Sequence, residues 1–191
     1  MPRKKILSDG TPLTLPQYDK LPREVHGEVV RGRLLREPPH RTVHGLLVAR
    51  VSALLSHFVD ERRLGVVLSE SGYITAQDPP TVRGPDVSFI AAERVADGLP
   101  ADGYWEGVPD LAVEILSAED RPGATADKVL EYLGGGAQAV WIVQPRTRAL
   151  VVHLQGARIH ALQEEDVLDG APVLPGFHLP LTRLFQDVPR Y

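Results

Sequence analysis

The chain has 191 residues, 43% of them apolar and 24% charged, with a formal net charge of −4. That length can bury a substantial core, and the absence of cysteine excludes disulfides and cysteine-ligated zinc. The mild acidity argues against binding a polyanion through bulk positive charge, so any nucleic-acid contact has to be local.

Residues 1–12 are polar, with Gly10 and Pro12, and read as a flexible lead. Arg3, Lys4 and Lys5 are not followed by an apolar stretch, so no signal peptide is expected and the cytoplasm is the expected location. No run of about 18 apolar residues is found, so no membrane span is expected. Residues 13–191 read as one domain. Thr14 to Leu21 reads as a short helix with Thr14 as its N-cap. Val25 to Leu35 reads as two strands around Arg31-Gly32. Arg31, Arg33, Arg36 and Arg41, with His40 and His44, form a basic cluster suited to phosphate contact; an ordinary solvated hairpin face is the competing reading.

Thr42 to Arg63 reads as the longest helix, because Leu46, Leu47, Val51, Leu54, Leu55, Phe58 and Val59 approximate a 3.6-residue period. His40 and His44 are four apart, but His40 lies ahead of the helix, so a zinc pair is not expected; His44 is expected to pack or hydrogen-bond beside the site. Val66 to Thr75 reads as one long strand or a strand pair, and Gly84 to Ile90 as a strand opened by Pro85-Asp86. Residues 91–109, with Gly98, Pro100, Gly103 and Gly107, read mainly as loop. A second apolar strand, Asp110 to Ser117, is interrupted by Glu114. Thr125 to Leu133 reads as a helix stopped by three glycines, and Ala139 to Val143 as a buried strand. The order strand, helix, strand predicts a crossover that lays the helix over the sheet. Leu150 to Leu154, Arg158 to Leu162, Val167 to Leu168 and Val173 to Leu174 read as a closing antiparallel meander.

Glu114 carries the chemistry. Both faces of its strand are mostly apolar, as in a central strand covered on both sides. A carboxylate there has to be protonated, paired or bound to a cation. Asp86 alone is common turn chemistry, but it shares a strand face with Ser88 and Ile90 and meets Glu114 if the strands pair in register. Two carboxylates with a lysine, Lys128, on the next helix are what a metal-dependent phosphodiester hydrolase needs: oxygen ligands for a hard cation and a charge to steady the developing anion.

The chain resembles the Uma2 family of restriction-endonuclease-like proteins, within the PD-(D/E)XK nuclease superfamily, over roughly residues 13 to 186. The resemblance is carried by Leu13-Thr14-Leu15-Pro16-Gln17-Tyr18, by Gly27-Glu28-Val29-Val30-Arg31-Gly32-Arg33-Leu34 and by His44 at the head of the long helix. It continues through Pro85-Asp86-Val87-Ser88-Phe89, Pro109 to Ser117, Lys128 with Tyr132, Trp141, Pro175-Gly176-Phe177 and Leu184-Phe185. Leu116 stands where the superfamily usually has its lysine, which Lys128 would supply from the helix. Ala124, Ala139 and Gln144 depart from acidic residues that members often carry.

The resemblance implies a mixed central β-sheet flanked by helices, of α/β (α+β) class, with an N-terminal hairpin. It implies Asp86 and Glu114 as metal ligands, Lys128 as the catalytic lysine and Glu28 as a further acidic residue of the site. The expected activity is a magnesium- or manganese-dependent endonuclease acting on DNA, with a homodimer as its expected assembly. The alternative is a catalytically weak relative that binds nucleic acid or assembles with a partner. A β-rich ligand-binding module is a more distant alternative that would need an apolar pocket away from Asp86.

Overall fold

The computed structural model describes residues 12–21, 27–35, 40–118 and 120–190. Most of the expected lead, with Arg36, therefore lies outside the described residues.

The first elements build a five-stranded sheet. Helix α1 (Leu15–Asp19) starts at Thr14, whose backbone N–H donates to Gln17 Oε1 at 2.8 Å. Strands β1 (Glu28–Val30) and β2 (Arg33–Leu35) form the expected hairpin, turning on Arg31 (φ 50°) and Gly32 (φ 74°). Two successive positive φ values match the twist of a tight hairpin, and glycine at the second position takes its value at least cost. Helix α2 (Thr42–Arg62) follows as expected.

The segment read as Val66 to Thr75 divides between two sheets. Strand β3 (Gly65–Ser69) joins the larger one, and β4 (Tyr73–Gln77) joins the smaller one. Strand β5 (Pro80–Arg83) is an element the sequence reading did not anticipate; it pairs with β4 and, through Val29 and Val82, with β1. Strands β6 (Val87–Ala91), β7 (Trp105–Glu106) and β8 (Leu111–Ile115) follow, with a short 3-10 turn, Ala92–Arg94, and loop between β6 and β8 as expected. The smaller sheet has the order β2-β1-β5-β4-β7.

Helix α3 (Pro122–Gly134) begins three residues earlier than read, with proline in its first turn where no N–H is missed. It leads into β9 (Ala139–Gln144), which runs parallel to β8, so the predicted crossover is present. Strands β10 (Ala149–Leu154) and β11 (Arg158–Leu162) extend the sheet antiparallel, giving the order β11-β10-β9-β8-β6-β3. The expected meander ends there. Strand β12 (Val167–Asp169) pairs instead with β13 (His178–Pro180), and α4 (Leu181–Leu184) closes the described chain. Val173 and Leu174 are not a strand: they sit in a turn and are buried in the core. Their apolarity reflects burial, and two residues cannot show a period.

The six-stranded sheet divides the interior. One face packs Val87, Phe89, Leu111, Val113, Trp141 and Val143 against Leu47, Val51, Leu55 and Val59 of α2 and the C-terminal Leu181, Leu184 and Phe185. The other face packs Ala112, Val140 and Ile142 against Val129 and Tyr132 of α3. By length and composition α2 could cross a membrane, with a mean hydropathy of 1.4, contrary to the expectation that no segment qualifies. Here its apolar stripe is seated on the sheet.

Candidate active site

Strands β6 and β8 run antiparallel with Val87 opposite Val113 and Ser88 opposite Ala112. Carried one residue further, that register sets Asp86 opposite Glu114. Directly opposed residues have Cβ atoms roughly 4.5–5.5 Å apart. Asp86 is held in place twice: the backbone N–H of Ile115 donates to its Oδ2 at 2.6 Å, and His44 Nε2 lies 3.1 Å from its Oδ1.

Glu114 is gripped by one turn of α3. Lys128 Nζ donates to its Oε2 at 2.7 Å and the Tyr132 hydroxyl to its Oε1 at 3.1 Å. The residues are four apart, so they project from one side of the helix. Lys128 thus points to Glu114 rather than to solvent. It also reaches Glu28 Oε1 at 2.9 Å, which brings the third expected acidic residue across from the smaller sheet.

Arg83 escaped the sequence reading altogether. Buried at the end of β5, it donates from Nη1 to Glu28 Oε2 at 2.9 Å and from Nε to Glu131 Oε2 at 2.6 Å. The result is a continuous chain of charges, Glu131, Arg83, Glu28, Lys128, Glu114, that ties both sheets to α3. Its only sequence signal is an arginine ending the short apolar run Pro80-Thr81-Val82-Arg83.

Burial pushes the Glu114 carboxyl up to about 7; Lys128 opposes this, while Asp86 and Glu28 add to it. Glu28 behaves oppositely. Burial favours its neutral form, but Lys128 and Arg83 together overcome this and hold it below the usual carboxylate range. Burial would lower the His44 value, but Asp86 prevails and raises it.

The remaining expected residues are placed differently. Arg31 and Arg33 are exposed on the β1–β2 hairpin. His44 is not on the surface as a nucleic-acid contact would be; it is 5% exposed and its Nδ1 has no partner. His40, although ahead of the helix, stacks on it with ring centroids 3.9 Å apart and planes 5° from parallel. Asp110, beside the second core strand, accepts from Ala91 N–H and Arg94 and anchors the start of β8. An open apolar groove of about 510 Å³ lies between α3 and strands β9 to β11, with Leu116, Val129, Leu130, Ile142, Val151 and Ile159 in its lining.

The donor set fits a divalent cation. Asp86 and Glu114 offer carboxylate oxygens from facing positions, and each oxygen keeps a lone pair beyond the partner named above.

Comparison with known proteins agrees with this architecture. A solved structure described as that of a "putative nuclease belonging to DUF820" from Anabaena variabilis ATCC 29413 superposes with a TM-score of 0.80 at 21% identity, covering 91% of this chain and 98% of that one. That likeness establishes the restriction-endonuclease-like, mixed α+β fold. No curated protein matches. Residues 15–182 match the family described as "Uma2: Putative restriction endonuclease", and the chain belongs to that family.

Proposed function

We propose that the chain is a divalent-metal-dependent endonuclease that hydrolyses phosphodiester bonds in DNA. The observation that carries the reading is the strand register that points Asp86 and Glu114 to facing positions, with Lys128 delivered onto Glu114 from α3. Membership in a family described as "Putative restriction endonuclease" supports the reaction class. Asp86 and Glu114 would hold the cation, magnesium or manganese. When bound, it would supply Lewis-acid polarisation of the scissile phosphate and a more acidic water.

The chain's own residues do the rest. Lys128 holds a positive charge where negative charge grows in the transition state. Glu28, fixed by Arg83, keeps that ammonium aimed from its far side. Tyr132 orients the Glu114 carboxylate by occupying its second oxygen. Arg31 and Arg33 are available for contacts to the phosphate backbone, which position a substrate without reading its sequence.

One observation favours the alternative of a non-catalytic nucleic-acid-binding or assembly module. Every carboxylate of the site already has a protein partner, as in a purely structural network. An assay decides. Purified protein is incubated with DNA under magnesium, manganese or EDTA. Cleavage with either metal is expected, and Asp86→Ala, Glu114→Ala and Lys128→Ala should each lower the rate roughly 10²-fold or more, as loss of one charge-stabilising group does. Equal rates in wild type and Asp86→Ala would expose a contaminant. Absence of cleavage with metal bound would establish the non-catalytic alternative.

A further inference from the structure

We propose that His40, His44 and Asp86 form a second cation site, one that takes a first-row transition dication through imidazole nitrogen. A ring nitrogen of each histidine and a carboxylate oxygen of Asp86 lie within 4.8 Å of one another. The histidine rings are already parallel and 3.9 Å apart. His44 Nε2 and Asp86 Oδ1 are 3.1 Å apart. Two ligands at about 2.1 Å from a common ion and at right angles to each other are separated by about 3 Å, so this spacing needs little adjustment.

His44 is not satisfied by the protein alone. Its Nδ1 is buried without a partner. With the proton on Nε2, the Nδ1 lone pair has no donor. With the proton on Nδ1, that N–H has no acceptor and the Nε2 lone pair faces a carboxylate oxygen. A cation taken at Nε2, beside Asp86 Oδ1, leaves the ring's proton on Nδ1, and Asp86 supplies the compensating charge. The carboxylate is rigidly presented, because its other oxygen is tied to the Ile115 N–H.

Donor chemistry separates this site from the one proposed above. Asp86 and Glu114 alone are an all-oxygen pair suited to magnesium or manganese. Two imidazoles with one carboxylate suit zinc, cobalt or iron. His40 is exposed, so the site opens to solvent, and positions not filled by protein are free for water or a phosphate oxygen. The two sites share Asp86, but the nuclease reading needs Glu114 and Lys128 whereas this one needs the histidines.

The test uses the full chain, stripped with EDTA and titrated with Co²⁺ while its visible d–d absorption is followed, then back-titrated with Zn²⁺. Wild type should develop a Co²⁺ band at one equivalent that Zn²⁺ abolishes. His40→Ala, on the surface and harmless to folding, should weaken Co²⁺ binding at least about 10-fold, the lower end of what loss of even an outer-shell partner costs. His44→Gln, checked for folding by circular dichroism, should do the same. Glu114→Gln should keep the band. No band in wild type, or a band of equal affinity in His40→Ala, would overturn the proposal. A band lost in Glu114→Gln but kept in His40→Ala would also overturn it, placing the ion between the two carboxylates and leaving the nuclease reading standing.

Discussion

The two faces of the six-stranded sheet are built from the same strands by opposite means. Along β8, Leu111, Val113 and Ile115 enter the large apolar core under α2, while Ala112 and Glu114 turn toward α3. The α2 face is held by shape and by exclusion of water, which is forgiving of chemistry but not of volume. The α3 face adds to a smaller apolar cluster a charge chain in which every member depends on its neighbour. A buried ion pair gives little net stability, yet breaking it by removing one partner is severe. The comparison teaches that the site is a place where the fold is brittle toward charge, whereas the core is brittle toward size.

The largest effect expected from this contrast is at Arg83. Replacing it with Met strands Glu28 and leaves Lys128 as that carboxylate's remaining cation; denaturant unfolding should show a loss of about 3–5 kcal/mol. An unchanged midpoint would break the comparison at its root. Leu55→Ala should cost about 2–5 kcal/mol through its cavity, while any metal-dependent cleavage measured well below the new melting temperature keeps its rate. Loss of rate without loss of stability in that variant would mean that the core reaches into the chemistry. Tyr132→Phe removes only the hydroxyl that donates to Glu114; stability should fall by about 1–3 kcal/mol, and the rate should fall because one oxygen of the ligand is no longer oriented. An identical rate would restrict the tyrosine to packing.

The smallest effect lies on neither face. Arg148 donates to Glu164 from Nε and Nη2, with Arg190 adding its charge, so the Glu164 carboxyl is held below its usual range. Its folded value is below its unfolded one, so its contribution is present above the unfolded value and fades as pH falls through the folded one. Acid melting of Glu164→Gln should therefore lose a small part of the pH dependence that wild type shows below the ordinary glutamate range. Superimposable acid profiles would count against the pairing.

How much of this could be read beforehand follows from what each residue interrupts. Glu114 breaks an apolar strand, and a charge in such a place is visible at once. Asp86 and Lys128 became visible through it, by register and by the helix that follows. Glu28 was legible only through the family resemblance, because a charge in a short hairpin is ordinary. Arg83 was not legible: β5 has four residues, begins with proline and follows another, and its partners lie 55 positions before it and 48 after. The histidine spacing was visible, but the stacking of the two rings was not. His40 lies ahead of the helix as expected, and its ring nonetheless stacks on that of His44. Likewise Val173 and Leu174 read as strand, while the pairing strand is actually His178–Pro180, whose closing proline argues against that assignment.

Lys128 and Tyr132 occupy one turn of one helix, and both end on the same carboxylate. Glu114 therefore cannot lose them one at a time by motion of the backbone: if α3 lifts from the sheet, both contacts go together, and Glu28 loses its lysine in the same event. The buried side chains of α3 are few, Val129 and Tyr132, against five in β8, so the helix opens at lower cost than the strand it covers. Assembly of the site is thereby an all-or-none property of a single docking step, and the buried amides of β8 should exchange through a different, higher-energy opening from those of the helix that completes its chemistry.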